Sequence, residues 1–142
     1  MIRSRKVAFC ISVSAIAALL ISSCQGNQGV EFNQYYSGGS LVYQTHCQNC
    51  HGLKGEGLQV LIPPLTDNIY LNKNSNELPC AIKYGLKGKL RVMNREFEGQ
   101  MPANDLSPID IAKVLTYVTN SFGNKGATIT AEKVDSLLLK CK

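Results

Sequence analysis

The sequence has no tryptophan and only two histidines among 142 residues, and only 18% of its residues are charged. Two histidines exclude a catalytic or metal centre built on several imidazoles. Few charges beside 44% apolar residues exclude a disordered chain, because there is enough apolar material for a core. An uninterrupted apolar run of roughly 20 residues, the length of a membrane-spanning helix, is also missing. The longest candidate, Val7–Ile21, carries Ser12 and Ser14. A net charge of +5 with no basic helix and no aromatic platform argues against nucleic-acid binding. The length fits one compact domain.

The excess charge is concentrated at the start. Arg3, Arg5 and Lys6 precede the apolar stretch, and Ile21-Ser22-Ser23-Cys24 ends it. A positive start, an apolar middle and a small-residue end form the layout of a secretory signal. The ending resembles the bacterial lipobox, which implies cleavage after Ser23 and lipidation of Cys24. The expectation is a lipoprotein signal over residues 1–23, and a protein held on the periplasmic face of the cell envelope by acyl chains. Each buried CH₂ of such chains contributes about 0.8 kcal/mol. An ordinary signal with a chance cysteine, or an uncleaved anchor, is the alternative. Without residues 1–23 the chain keeps 12 basic groups against 10 acidic ones. Residues 24–36, rich in Gln, Asn and Gly, read as a flexible tether, and residues 37–142 as the folded domain.

Cys47-Gln48-Asn49-Cys50-His51 carries the strongest chemical signal. C-x-x-C-H is the attachment sequence of c-type haem: the thiols reach two vinyl groups of one porphyrin, and the imidazole projects toward the iron. Three other readings compete. A redox-active dithiol needs a strand before the cysteine pair, and none is apparent. A zinc site needs four ligands, and only Cys80 and Cys141 offer distant thiolates. A Cys47–Cys50 disulfide would strain normal bridge geometry. A sixth ligand has two candidates, Met101 in Gly99-Gln100-Met101-Pro102 and Met93 in an apparent hairpin turn. Met101 is favoured, because 50 residues separate it from His51, enough chain to pass round a haem. His46, beside Cys47, is tethered on the wrong side and reads as an exposed histidine.

Together these motifs resemble a class I cytochrome c over residues 37–142. Gly39 and Tyr43 stand eight and four residues before Cys47, where that family crosses its first and last helices, and Val114 and Tyr117 match their partners. Gly52, Gly55 and Gly57 fall where the family turns its chain beneath the ring. The resemblance implies an all-α fold of three to five helices round one covalently bound haem c. It gives Cys47, Cys50, His51 and Met101 the family's roles. It also aligns Pro63 with the proline whose carbonyl accepts the haem histidine's hydrogen bond, with Pro64 a one-residue alternative. A small β-hairpin before the Met101 loop resembles an insertion of cytochrome domains attached to oxidases, nitrite reductases and alcohol dehydrogenases. Met93-Asn94 stands at its turn where those relatives carry Asn-Gly.

Three helices can be placed from local signals: Glu77–Tyr84, Ser107–Phe122 with Ser107 as cap and Pro108 at its first position, and one starting from Thr130 with Val134, Leu137 and Leu138 on one face. Cys80 and Cys141 are the remaining cysteines of an oxidising compartment, so a disulfide between them is expected, with free or intermolecular thiols as the alternative. The expected function is single-electron transfer by a carrier that is not itself an enzyme and takes no small-molecule substrate. The partners are redox proteins, such as a membrane respiratory complex. Lys83, Lys87, Lys89, Arg91 and Arg95 suggest a basic docking patch over residues 83–95. The alternatives are a haem-bearing electron-entry subunit of a larger oxidoreductase, a five-coordinate haem enzyme or gas sensor, and a non-haem interaction lipoprotein.

Overall fold

The computed structural model describes residues 27–141, so the signal, Cys24 and the first residues of the tether lie outside the described residues. Six helices and one hairpin follow in order: α1 Asn27–His46, α2 Gln48–His51, α3 Asn68–Lys73, α4 Leu78–Tyr84, β1 Leu86–Val92, β2 Arg95–Met101, α5 Pro108–Val118 and α6 Ala131–Leu138. That is one helix more than the upper expectation, because a short loop segment becomes α3. None of the described helices is long and apolar enough to cross a membrane.

Residues 27–36 are helical, which corrects the expected tether. A polar composition hid the helical spacing that carries Phe32, Tyr35 and Tyr36 into line with Gly39 and Tyr43. Within the compact unit that begins at Phe32, Tyr36 packs on Tyr117 at 5.1 Å between ring centroids. The Tyr35 hydroxyl accepts a hydrogen bond from Ala131 N–H at 3.3 Å. A loose linker makes no such contacts. At Gly39 a Cβ atom would run into the Lys113 carbonyl and the Tyr117 side chain, so glycine lets α1 and α5 cross in close contact.

α5 is the centre of the core, with Ile111, Ala112, Val114, Leu115 and Val118 all buried. The Ser107 hydroxyl caps it, accepting from Asp110 N–H at 3.3 Å and donating to the Asp110 carboxylate at 2.6 Å. α5 stops at Val118, short of the expected Phe122. Phe122 turns left-handed (φ 58°) and lodges its ring edge-on to Tyr117 at 5.7 Å and beside Tyr43 at 5.3 Å. Thr130 caps α6 as expected, accepting from Lys133 N–H at 3.3 Å. Val134 and Leu137 of that helix are buried. A Cys80–Cys141 disulfide joins α4 to the residues after α6.

β1 and β2 pair antiparallel, Leu86 opposite Met101 and Val92 opposite Arg95, around the two-residue turn Met93-Asn94. Both turn residues have positive φ, 49° and 59°, the conformation that matches strand twist in a tight hairpin. Successive side chains alternate faces. Lys87, Lys89 and Arg91 therefore share one face, opposite Gln100, Glu98 and Glu96. This register sets acids beside the cations of the expected basic patch. Glu96 and Glu98 stand directly across from Arg91 and Lys89, Lys83 pairs with Asp105 at 3.0 Å, and Arg95 turns away to the Gln59 carbonyl at 3.1 Å. A count along the chain saw the cations but not the acids facing them.

Candidate functional site

An apolar cleft of about 160 Å³ opens between α5, α3, α4 and the inner face of the hairpin. Cys47, His51, Pro63 and Met101 all lie on its wall, among Leu71, Ile82, Leu90, Val92, Val114 and Leu115. A second hollow of about 110 Å³ adjoins it and is lined by Cys50, Leu61, Phe97 and Gly99. The two hollows share His51, Pro63, Leu86, Leu90 and Met101, so they are parts of one slot. Cys47 faces one part and Cys50 the other. Met93 is exposed in the hairpin turn and lines neither hollow.

Local geometry presents these groups. α1 runs straight into the motif through Cys47 N–H to the Tyr43 carbonyl at 2.9 Å, and α2 adds one turn, with His51 N–H donating to the Cys47 carbonyl at 2.9 Å. Gly52 (φ 82°) then reverses the chain, and the Tyr43 hydroxyl donates to its carbonyl at 2.7 Å. His51 Nδ1 lies 3.1 Å from the Pro63 carbonyl oxygen. A carbonyl only accepts, so Nδ1 carries the proton and Nε2 keeps its lone pair. Pro64 does not take that hydrogen bond. Burial holds His51 below its ordinary pKa, against the opposing effect of the Pro63 bond, so the ring is neutral at pH 7.

The neighbouring thiols are not paired with each other. Burial, with the nearby Cys50, pushes Cys47 up to about 11. A redox-active dithiol requires the opposite shift, toward a stabilised thiolate. Zinc binding loses its distant donors as well, because Cys80 and Cys141 are bonded to each other. Among the described residues no three His, Cys, Asp or Glu side chains gather to hold a metal ion. A neutral imidazole, two thiols and a thioether on a long apolar slot suit a flat hydrophobic macrocycle with a central metal.

The slot also uses residues that sequence reasoning passed over. Tyr70, Leu71 and Asn74 of α3 and its C-terminal end line it. Asp67 was the available signal, for its carboxylate accepts from Ile69 and Tyr70 N–H, both at 3.1 Å, and starts α3. Asn124 was equally hidden: buried after α5, it donates to the carbonyls of Leu65 at 2.7 Å and Val118 at 2.9 Å, fixing the loop behind Pro63.

Residues 36–121 match the family model described as cytochrome c. The chain is also 29% identical over 101 residues to the fructose dehydrogenase cytochrome subunit of Gluconobacter japonicus, covering 68% of this chain. That match takes in 21% of the relative's length, so this chain corresponds to about a fifth of it. With more than half of its length matched by the family model, the chain belongs to the cytochrome c family, and covalently attached haem c is the group its slot accommodates.

Proposed function

We propose that the protein is a single-electron carrier, in which Cys47 and Cys50 would hold haem c covalently and His51 and Met101 would ligate its iron. The observation that carries this reading is the imidazole tautomer. The Pro63 carbonyl accepts a hydrogen bond from Nδ1–H, and Nε2 keeps its lone pair beside the same apolar slot that Met101 lines. Bound haem supplies the one-electron Fe(III)/Fe(II) couple.

The chain's residues do the rest. Pro63 fixes the His51 ring and raises its basicity as a ligand. Met101, with a soft thioether, favours the reduced state and so raises the potential. Leu71, Leu90, Val92, Val114 and Leu115 exclude water from the slot, which limits solvent reorganisation as charge changes. His51 and Met101 would both serve as ligands of the bound haem, which would leave no position for a substrate and supports a carrier over a haem enzyme or sensor. Lipid attachment at Cys24 would hold such a carrier on the periplasmic side of a membrane, near its redox partners. A second reading is supported by the relative's name: an electron-entry subunit working with a dehydrogenase. Recovery of the native protein in one complex with a dehydrogenase would favour that reading, and recovery alone would favour the independent carrier.

The absorption spectrum is the direct test. The native protein is expected to be low-spin, with a weak Met-to-iron band at the red end when oxidised and no carbon monoxide binding when reduced. Met101→Ala should abolish that weak band and lower the reduction potential. A band that survives this substitution would rule out Met101 as the ligand.

A further inference from the structure

The hairpin is attached to the rest of the fold at its tip as well as at its base. At the base, Gly85 follows α4 directly and Asn104 N–H donates to the Ile82 carbonyl at 3.0 Å. At the tip, the Asp67 carboxylate binds two separate elements. One oxygen accepts from Ile69 and Tyr70 N–H at 3.1 Å each, and the other accepts from Met93 N–H at 3.1 Å, 26 residues further along the chain. Met93 needs such a partner. It has φ 49°, which non-glycine residues rarely adopt and which persists only where the surroundings fix it. Its N–H also lies beyond the last paired residues, Val92 and Arg95, so the strands do not use it. On the other side of the tip, Arg95 reaches the Gln59 carbonyl at 3.1 Å. Between these attachments the inner hairpin face, Leu90 and Val92 included, forms a wall of the cleft.

We propose that Asp67 is a positioning residue that latches the hairpin over the haem cleft and so keeps external ligands from replacing Met101. The idea rests on the haem and Met101 reading above. It adds that closure depends on one carboxylate bridging the start of α3 and the turn. A bond from a backbone N–H to an ionised acceptor is among the stronger hydrogen bonds. Its loss should raise the open population of the hairpin about tenfold.

Two variants of the holoprotein separate the latch from the helix cap. Asp67→Ala removes both functions. Asp67→Ser keeps one short oxygen able to cap α3 but has none to reach Met93. The readouts are the rate at which added imidazole displaces the weak Met-to-iron band, and amide hydrogen exchange in β1, the turn and β2. Both variants should bind imidazole about tenfold faster and lose protection near Leu90–Arg95, with α5 amides unchanged. If Asp67→Ser behaves as the native protein while Asp67→Ala does not, Asp67 is only a cap and the latch is wrong. Native behaviour in both variants, or equal loss of protection in α5, would overturn it too. Absence of the weak band in the unmodified protein would refute Met101 ligation instead, and hairpin exchange would still decide the latch.

Discussion

The helical frame and the hairpin wall close themselves in different ways. In the frame, Ile111 and Val134 are wholly buried by other protein groups, and Gly39 brings two helices into backbone contact. In the hairpin, most residues are exposed. Leu86 remains 42% accessible although it lies on the slot. The frame buries its deepest side chains against protein alone but also gives Cys47, His51, Val114 and Leu115 to the slot, whereas the hairpin has only its inner face there and leaves most of the rest to solvent. The two parts therefore differ in how much of their apolar surface other protein groups cover.

The largest expected effect belongs to the frame. Replacing Cys80 and Cys141 together by serine frees a loop of 61 residues, and loss of that constraint should cost about 4 kcal/mol in the chain-entropy model. Chemical denaturation of both proteins measures it, and a cost under about 1 kcal/mol would mean that the helices alone hold α4 in place. Truncation sharpens the contrast. Ile111→Ala should cost about 4 kcal/mol whether or not haem is attached, by transfer loss and cavity formation. Leu90→Ala should cost about 2 kcal/mol in the holoprotein and clearly less in the apoprotein, since its contacts are then absent. Equal costs for Leu90→Ala in both forms would erase the distinction between frame and wall.

The smallest effect concerns the cap of α5. Ser107→Ala should cost about 1 kcal/mol near neutrality. The hydrogen bond from Ser107, then Lys113, holds the Asp110 carboxyl below its ordinary value. A depressed carboxylate contributes stability that is present above its unfolded pKa and lost as pH falls through the folded one. The gap between the native protein and Ser107→Ala should therefore narrow as pH falls below about 4. Denaturation midpoints across that range would reveal it, and a constant gap would assign the cap's effect to the hydroxyl alone.

Features set by neighbouring residues could be read from the chain. The C-x-x-C-H run is a single helical turn, Ser107 and Thr130 cap helices by bonds three residues away, and Met93-Asn94 marks its turn by position between two strands. Features set by distant partners could not. The first ten residues of α1 looked like part of a tether because Phe32, Tyr35 and Tyr36 have meaning only against Tyr117 and α6. The acids beside the expected basic patch were missed because strand register, not sequence proximity, decides that Glu98 faces Lys89 and Glu96 faces Arg91. α3 was missed because it is six residues long, too short for a period to emerge. Its start depends on Asp67, which is also committed to a turn far along the chain.

The disulfide between α4 and the C-terminal end implies a sorting problem in assembly. The four cysteines among the described residues allow three pairings, and the two of the haem motif lie only three positions apart. An oxidant that joins Cys80 to Cys141 could equally join Cys47 to Cys50, yet the proposed thioether bonds would require those two as thiols. The fold lessens the conflict by bringing the Cys80 and Cys141 Cα atoms to 5.6 Å, so docking of α6 commits that pair to each other. Folding of the tail and attachment of haem would thus be coupled through sulfur, with an early error at either pair trapping the other.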